Sequence, residues 1–283
     1  MPELPEVETI RRFLEKAIVG EKIVGIEILS KKQFPQEPKL VIGAKIAGIE
    51  RRGKNLFINL SNSKTLWTHL KMSGQLIWVP ATGSKKRPGH PIPFAGSELP
   101  AKSTRVIITL QKGKLFFNEM RKFGWMKVLD SAKVQAETGK LGPEPFSSVF
   151  TAEYLEEVFR KTAKPVKLVL LDQEKIAGIG NIYANEALFE AGIDPRRPAK
   201  EITPEEIEKL RKAVILVLNE GIRYGGSSAA DEAYIKPDAT KGNYQEHFRV
   251  YQRDGEKCHK CGKIIERINL AGRGTFFCPK CQK

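Results

Sequence analysis

The sequence predicts an α+β multidomain chain, in which an N-terminal helix and β-sandwich precede an all-α region and a small cysteine-bearing β-hairpin. Three observations carry this. Apolar residues recur at helical spacing at the very start, eight short β-rich runs follow, and helical periodicity returns beyond residue 145. Val7, Ile10, Leu14, Ala17 and Ile18 mark the first helix, which Gly20 stops. Strands are expected at 23–29, 44–51, 56–60, 65–70, 76–79, 105–110, 114–117 and 125–129. Runs this short, at this spacing, suit a two-sheet sandwich or a barrel. Residues 80–103 are rich in Gly, Pro and Lys and read as a surface loop.

Leu141-Gly142-Pro143-Glu144-Pro145 reads as a linker. Thr151 then caps a helix through Leu155, Val158 and Phe159, and another helix follows Lys164-Pro165. Residues 181–190 form a third, ended by Gly192. Thr203-Pro204-Glu205-Glu206 is a capping box that opens a long helix through Ile207, Leu210, Val214, Val217 and Leu218. Residues 225–243, rich in Gly, Ser, Ala and Asp without periodicity, suggest a mobile loop. The expected domains are a β-sandwich domain (1–132), a linker (133–150), a helical domain with that loop (151–240) and a C-terminal module (241–283).

Charge narrows the function. With 48 Lys+Arg against 33 Asp+Glu, the 283 residues carry +15, and a chain this basic usually meets a polyanion unless the charge is only a solubility coat. Ten Lys/Arg against four Asp/Glu put +6 into residues 241–283. No apolar run nears the ~20 residues that cross a bilayer, and the N-terminus lacks a signal-peptide pattern. A cytoplasmic protein with no membrane association is therefore expected.

All four cysteines lie in two Cys-x-x-Cys knuckles, Cys258/Cys261 and Cys278/Cys281, separated by sixteen residues with a hairpin between them. Four thiolates so spaced can surround one structural Zn²⁺ with no open coordination position, and disulfides are rare in a cytosolic chain. His259 is read as a solvated residue, since four thiolates complete the site without it. No organic cofactor is expected.

Removal of Met1 would make Pro2 an N-terminal secondary amine, a nucleophile that forms a permanently cationic iminium with a carbonyl-like carbon. Glu3 and Glu6 follow at the start of the helix, where carboxylates also complement the helix dipole.

The motif Met1-Pro2-Glu3-Leu4-Pro5-Glu6-Val7-Glu8-Thr9 does not stand alone. Arg52-Gly53-Lys54, His69-Leu70-Lys71-Met72-Ser73-Gly74, Leu141 to Pro145, Ala177-Gly178-Ile179-Gly180-Asn181-Ile182-Tyr183 and Gly272-Arg273-Gly274-Thr275-Phe276-Phe277-Cys278-Pro279-Lys280-Cys281-Gln282 follow it. From first residue to last, this series resembles formamidopyrimidine-DNA glycosylase, a bifunctional glycosylase and abasic-site lyase family that includes endonuclease VIII.

The resemblance implies excision of oxidised purines, 8-oxoguanine and formamidopyrimidines, from double-stranded DNA by a monomer, with a nick by β,δ-elimination and a nucleoid-associated, bacterial-type location. It implies a helix-two-turn-helix domain and a zinc finger. In this pattern Pro2 forms the Schiff base at C1′ and Glu3 is the acid/base. Lys54 serves β-elimination, and Arg273 grips phosphates and assists δ-elimination. Met72, Arg121 and Phe123 fill the gap left by the everted nucleotide, so they should sit at loop tips. Glu6, Lys167 and Asn181 complete the expected DNA contacts, with Lys167 alternatively a solvated helix lysine. His69 either contacts phosphate or belongs to the core.

Some positions depart from the pattern. Lys71 stands where glycine is common, Glu119-Met120 replaces the usual Asp-Pro, Ser103-Thr104 replaces a His-Asp pair, and Asn185 occupies a commonly acidic or serine position. Ala229-Ala230-Asp231-Glu232 in the expected lid lacks the usual arginine. Specificity of the endonuclease VIII type for oxidised pyrimidines, or an inactive lesion-binding protein, are the competing readings.

Overall fold

The structure is a computed structural model that describes residues 1–81, 98–228 and 234–283 of the chain. It divides into two compact units, one comprising Met1–Gly139 with Tyr224–Gln245, the other Lys140–Arg223 with Glu246–Lys283.

The first unit opens with α1 (Leu4–Ile18), whose buried face is Leu4, Val7, Ile10, Leu14 and Ile18, the predicted stripe. Eight strands follow: β1 (Ile23–Ile28), β2 (Ile46–Arg52), β3 (Asn55–Leu60), β4 (Lys64–His69), β5 (Gly74–Pro80), β6 (Thr104–Leu110), β7 (Gly113–Glu119) and β8 (Trp125–Asp130). Each expected strand is present, with its ends moved by no more than two residues. They form two four-stranded antiparallel sheets, ordered β1-β6-β7-β5 and β2-β3-β4-β8. Ile46, Leu56, Leu66 and Val128 of one sheet meet Ile23, Leu76, Val106 and Phe117 of the other, and α1 adds Val7, Ile10 and Leu14 to the same core.

Two features differ from the sequence reading. The expected linker begins inside a further helix, α2 (Ser131–Thr138), which buries only Thr138 and so offers no apolar period to read. Its later part is fastened into the second unit, where Gly142 N–H donates to Gln173 O (3.0 Å) and Ala177 N–H to Pro143 O (3.1 Å). The segment after residue 223, expected to belong with the helices, groups instead with the sandwich. Tyr234 lies in the sandwich core, and Ile235 and Ala239 pack on Ile77, Ile107 and Phe116. Trp78 N–H donates to Pro237 O at 2.9 Å, which pairs the otherwise open edge of β5. Contacts so distant in sequence leave no local pattern. Residues 229–232 of the expected lid and 82–97 of the expected surface loop lie outside the described residues.

Glu8 ties α1 to β2. Burial raises its pKa, but hydrogen bonds from Arg11, Arg12 and Arg51 outweigh this and hold it at about 2. Because the folded pKa lies below the ordinary 4.5, this contribution to stability is complete above that value and is lost as pH falls through about 2. In acid titrations followed by circular dichroism, Glu8→Gln should flatten the stability loss between about pH 4.5 and pH 2. An unchanged profile would exclude the linkage.

The second unit contains α3 (Ala152–Arg160), α4 (Val166–Leu170), α5 (Asn181–Ala191), α6 (Pro204–Arg223) and a hairpin of β9 (Glu266–Leu270) and β10 (Arg273–Phe277). Its caps are those read from the sequence. Thr151 Oγ1 accepts from Tyr154 N–H (3.2 Å), and Gly192 ends α5 at φ +76°. Thr203 and Glu206 exchange side-chain-to-backbone bonds at the start of α6. Helix α5 is buried nearly all round, and Gly221 lets α6 approach it, since a Cβ there would lie 2.4 Å from the Tyr183 hydroxyl oxygen. Among the described residues no helix is long and apolar enough to cross a membrane.

Candidate functional site

In the first unit Pro2 and Glu3 are buried immediately before α1. Glu3 is the N-cap and Glu6 the third helical residue of a reciprocal capping box, in which Glu3 N–H donates to Glu6 Oε2 at 2.8 Å. The other Glu6 oxygen accepts Ser227 N–H at 2.9 Å. With 1% of its surface exposed and both oxygens committed to backbone, Glu6 serves to fix the Glu3 backbone and the 226–228 segment. Its expected place among DNA contacts is joined by this structural role, in which the carboxylate bonds to N–H groups of the chain itself. Gly226 must be glycine: at φ +82° it runs 2.8 Å, measured from an added Cβ, from both Glu6 and Tyr234.

Lys54 occupies the β2–β3 turn behind Gly53 (φ +58°) and is buried. Arg51 joins Glu8 (3.1 Å) and donates to Gly53 O (3.0 Å), so α1 holds this turn in place. His69 pairs across the sheet with Asn55, the residue after Lys54. Burial, reinforced by the Lys71 and Lys54 charges, holds the His69 pKa down to about 3. Its Nδ1 accepts Lys71 N–H at 3.0 Å, which leaves the proton on Nε2. His69 is thus half-buried, neutral, and able to donate one uncharged hydrogen bond.

Met72 and Phe123 stand 37% and 55% exposed, in the β4–β5 and β7–β8 connections, where gap-filling side chains were expected. The exposed Arg121 lays its guanidinium over the Phe123 ring, 5.2 Å from its centroid. Lys71 and Lys122 both adopt left-handed backbone, φ +50° and +57°. The Lys71 angle explains why glycine would suit that position.

In the second unit, Gln173 stitches the turn before α5, donating to Leu171 O and Ile179 O and accepting Gly178 N–H. Asn181, the first residue of α5, donates its amide to Gly274 O at 3.0 Å. Asn185 Oδ1 accepts Phe276 N–H at 2.9 Å. Lys167, expected beside the damaged nucleotide or on a solvated helix face, is instead fully buried. Its Nζ donates to Gly274 O (3.0 Å) and Thr275 Oγ1 (2.7 Å). Three side chains of α4 and α5 therefore grip β10, and Arg273 opens that strand, exposed, after a tight turn at Ala271 and Gly272 (φ +50° and +76°).

The four cysteine sulfurs lie within 4.8 Å of one another, Cys258 to Cys281 at 3.9 Å and Cys261 to Cys278 at 3.5 Å. Tetrahedral thiolate ligation with bonds of ~2.3 Å requires sulfurs about 3.8 Å apart, so the set fits one metal ion. No disulfide competes for these thiols. His259 is exposed beside Arg253 and outside the cluster.

Comparison with known proteins decides the family. The formamidopyrimidine-DNA glycosylase N-terminal domain matches residues 1–126, the H2TH domain of the same family residues 141–233, and the zinc finger found in FPG and IleRS residues 255–283. Formamidopyrimidine-DNA glycosylase from Pelotomaculum thermopropionicum is 40% identical over 100% of this chain and 99% of its own. That of Chloroflexus aurantiacus is 42% identical over 100% and 98%. Among solved structures, a Lactococcus lactis FPG mutant in complex with a Fapy-dG containing DNA superposes with a TM-score of 0.87 at 34% identity, over 100% of both chains. The chain belongs to the formamidopyrimidine-DNA glycosylase family.

Within this formamidopyrimidine-DNA glycosylase fold, two supporting residues escaped the sequence reading. Glu186 is fully buried on α5 and accepts the N–H groups of Arg249, Val250 and Tyr251, anchoring the chain that leads into the cysteine module. Burial pushes its pKa up against those bonds. Glu119, noted only as a departure from Asp, is fully buried between the loops of Met72 and Phe123. An acidic residue inside an apolar helix, or at the end of an apolar strand, was the available signal.

Proposed function

We propose that this chain removes oxidised purines from duplex DNA and cleaves the strand at the resulting abasic site. The observation that carries the reading is the N-terminus, where Pro2 and Glu3 are held by the Glu3–Glu6 capping box. After loss of Met1, the Pro2 nitrogen attacks C1′ as the C1′–N bond breaks, the base leaves with the electron pair and takes up the proton released from Pro2, and the nitrogen lone pair then opens the sugar to the iminium as the Glu3 carboxyl protonates the ring oxygen. The iminium acidifies C2′, whose proton passes to the Glu3 carboxylate as the C3′–O bond breaks and releases the 3′ phosphate; loss of the C4′ proton to solvent then breaks the C5′–O bond and releases the 5′ phosphate. Lys54 serves the first elimination and Arg273 the second. Met72, Arg121 and Phe123 occupy the gap, Asn181 and the neutral His69 add hydrogen bonds to the backbone, and Cys258, Cys261, Cys278 and Cys281 hold a structural Zn²⁺. Lesion-containing DNA as the substrate class is supported by the Lactococcus lactis relative, which forms complexes with a Fapy-dG containing DNA and with an oxidised pyrimidine containing DNA.

The test is borohydride trapping on duplexes carrying 8-oxoguanine opposite cytosine, with thymine glycol in parallel. A covalent adduct with the purine lesion is expected. Preferential trapping on thymine glycol would replace this reading with the pyrimidine one, and no adduct on either would overturn it.

Lys167 follows as a positioning residue for Arg273. Lys167→Met removes the donor to Thr275 Oγ1 and leaves Gly274 O with the Asn181 amide alone, and should weaken DNA binding about tenfold. The effect of Arg273→Ala should then be smaller in the Lys167→Met background than in wild type, as read by fluorescence anisotropy. Strict additivity would separate the two residues.

A further inference from the structure

We propose that Glu119 and Ser73 form a strap that locks the Met72 loop and the Arg121–Phe123 loop into one gap-filling constellation, a positioning role that rests on the function proposed above. The Glu119 carboxyl sits at the end of β7, directly across from Gly74 in β5. One of its oxygens receives the Ser73 hydroxyl and Arg121 N–H (2.9 Å), and the other receives Gly124 N–H (2.7 Å). Arg121 N–H also reaches Ser73 Oγ at 3.1 Å, closing a ring of Ser73, Glu119 and Arg121. Met72 precedes one member of that ring, and Arg121 is itself another.

The surroundings are built for this strap. Gly124 has no room for a side chain, since an added Cβ would meet Glu119 Oε2 at 2.5 Å and Leu70 O at 2.9 Å. Gly74 N–H closes the Met72 loop on Leu70 O at 2.9 Å. Gln33, itself buried, donates to Lys122 O at 3.0 Å and holds the second loop from behind. Three hydrogens converge on two oxygens, whereas a carboxamide accepts through one oxygen only. The exposed side chains Met72, Arg121 and Phe123 thus stand on a buried polar base, which resists the load of wedging into stacked bases.

The strap matters for inserting the wedge while a base leaves the stack, and little once the base is gone. Ser73→Ala, which cuts only the link between the loops, should lower kcat/KM for 8-oxoguanine excision about tenfold. It should also erode the preference for cytosine over adenine opposite the lesion, while cleavage of a preformed abasic site stays within about twofold. Glu119→Gln should do the same more strongly, and the double variant should add little to it. Hydrogen exchange at the Arg121 and Gly124 amides should accelerate in Glu119→Gln, with thermal melting reporting that the sandwich persists. Excision and opposite-base preference unchanged in Ser73→Ala, or excision and abasic cleavage falling together in both variants, would overturn the strap. Absence of any activity in the wild type would instead overturn the glycosylase reading.

Discussion

Glu3→Gln keeps the sandwich folded and lowers base excision by about 10²–10⁴-fold, the range expected for loss of a general acid. The two glutamates of the first turn make this separable from a folding defect. As N-cap, Glu3 accepts a backbone N–H, which the oxygen of a glutamine also does. At Glu6 the same change must fail, because both carboxylate oxygens accept, from Glu3 N–H and Ser227 N–H, and an amide group would turn one donor against another. Glu6→Gln should therefore lower the melting temperature and loosen residues 226–228, with activity falling in proportion to the folded fraction. Single-turnover excision beside thermal melting distinguishes them. Excision by Glu3→Gln at the wild-type rate would remove Glu3 from the chemistry.

That pair also indicates what the sequence could and could not disclose. Two carboxylates at a helix start are compatible with dipole complementation, and for Glu6 the structural role holds. The strands were legible because each is a short β-rich run bounded by turn residues, as in the run from Leu56 to Leu60, set between Gly53 and Ser61-Asn62-Ser63. Helix α2 was not, since an exposed helix has no apolar stripe. Tyr234 was unreadable for another reason: a Gly/Ser/Ala-rich neighbourhood signals a loop, and only contacts with residues more than a hundred positions away reveal its burial. Lys167 shows the converse failure. Lysine in a short helix is ordinarily solvated, and its acceptors, Gly274 and Thr275, lie 107 and 108 positions further on.

Removal of metal, by chelation or by Cys258→Ser, abolishes DNA affinity while the first unit retains its melting transition. Cys258 and Cys278 are buried in one small cluster with Phe189, Val250, Ile265 and Phe276. Two five-residue strands are marginal by themselves, and a structural zinc supplies ~10–16 kcal/mol of apparent binding free energy to a module of this kind. Without it β10 frays, and Arg273 loses its fixed place at the start of that strand. The damage reaches the helices as well. Lys167 Nζ would lose Gly274 O and Thr275 Oγ1, leaving a buried ammonium without those acceptors, which is costly. The second unit should therefore soften around α4 and α5, not only at the hairpin. The sandwich core draws on Val7 through Val128 and on Tyr234, none of them in the second unit, so it keeps its own transition. Anisotropy with a lesion duplex, paired with hydrogen exchange across residues 166–190, checks both halves. Unaltered affinity in metal-free protein would contradict the first, and unchanged protection at α4 and α5 the second.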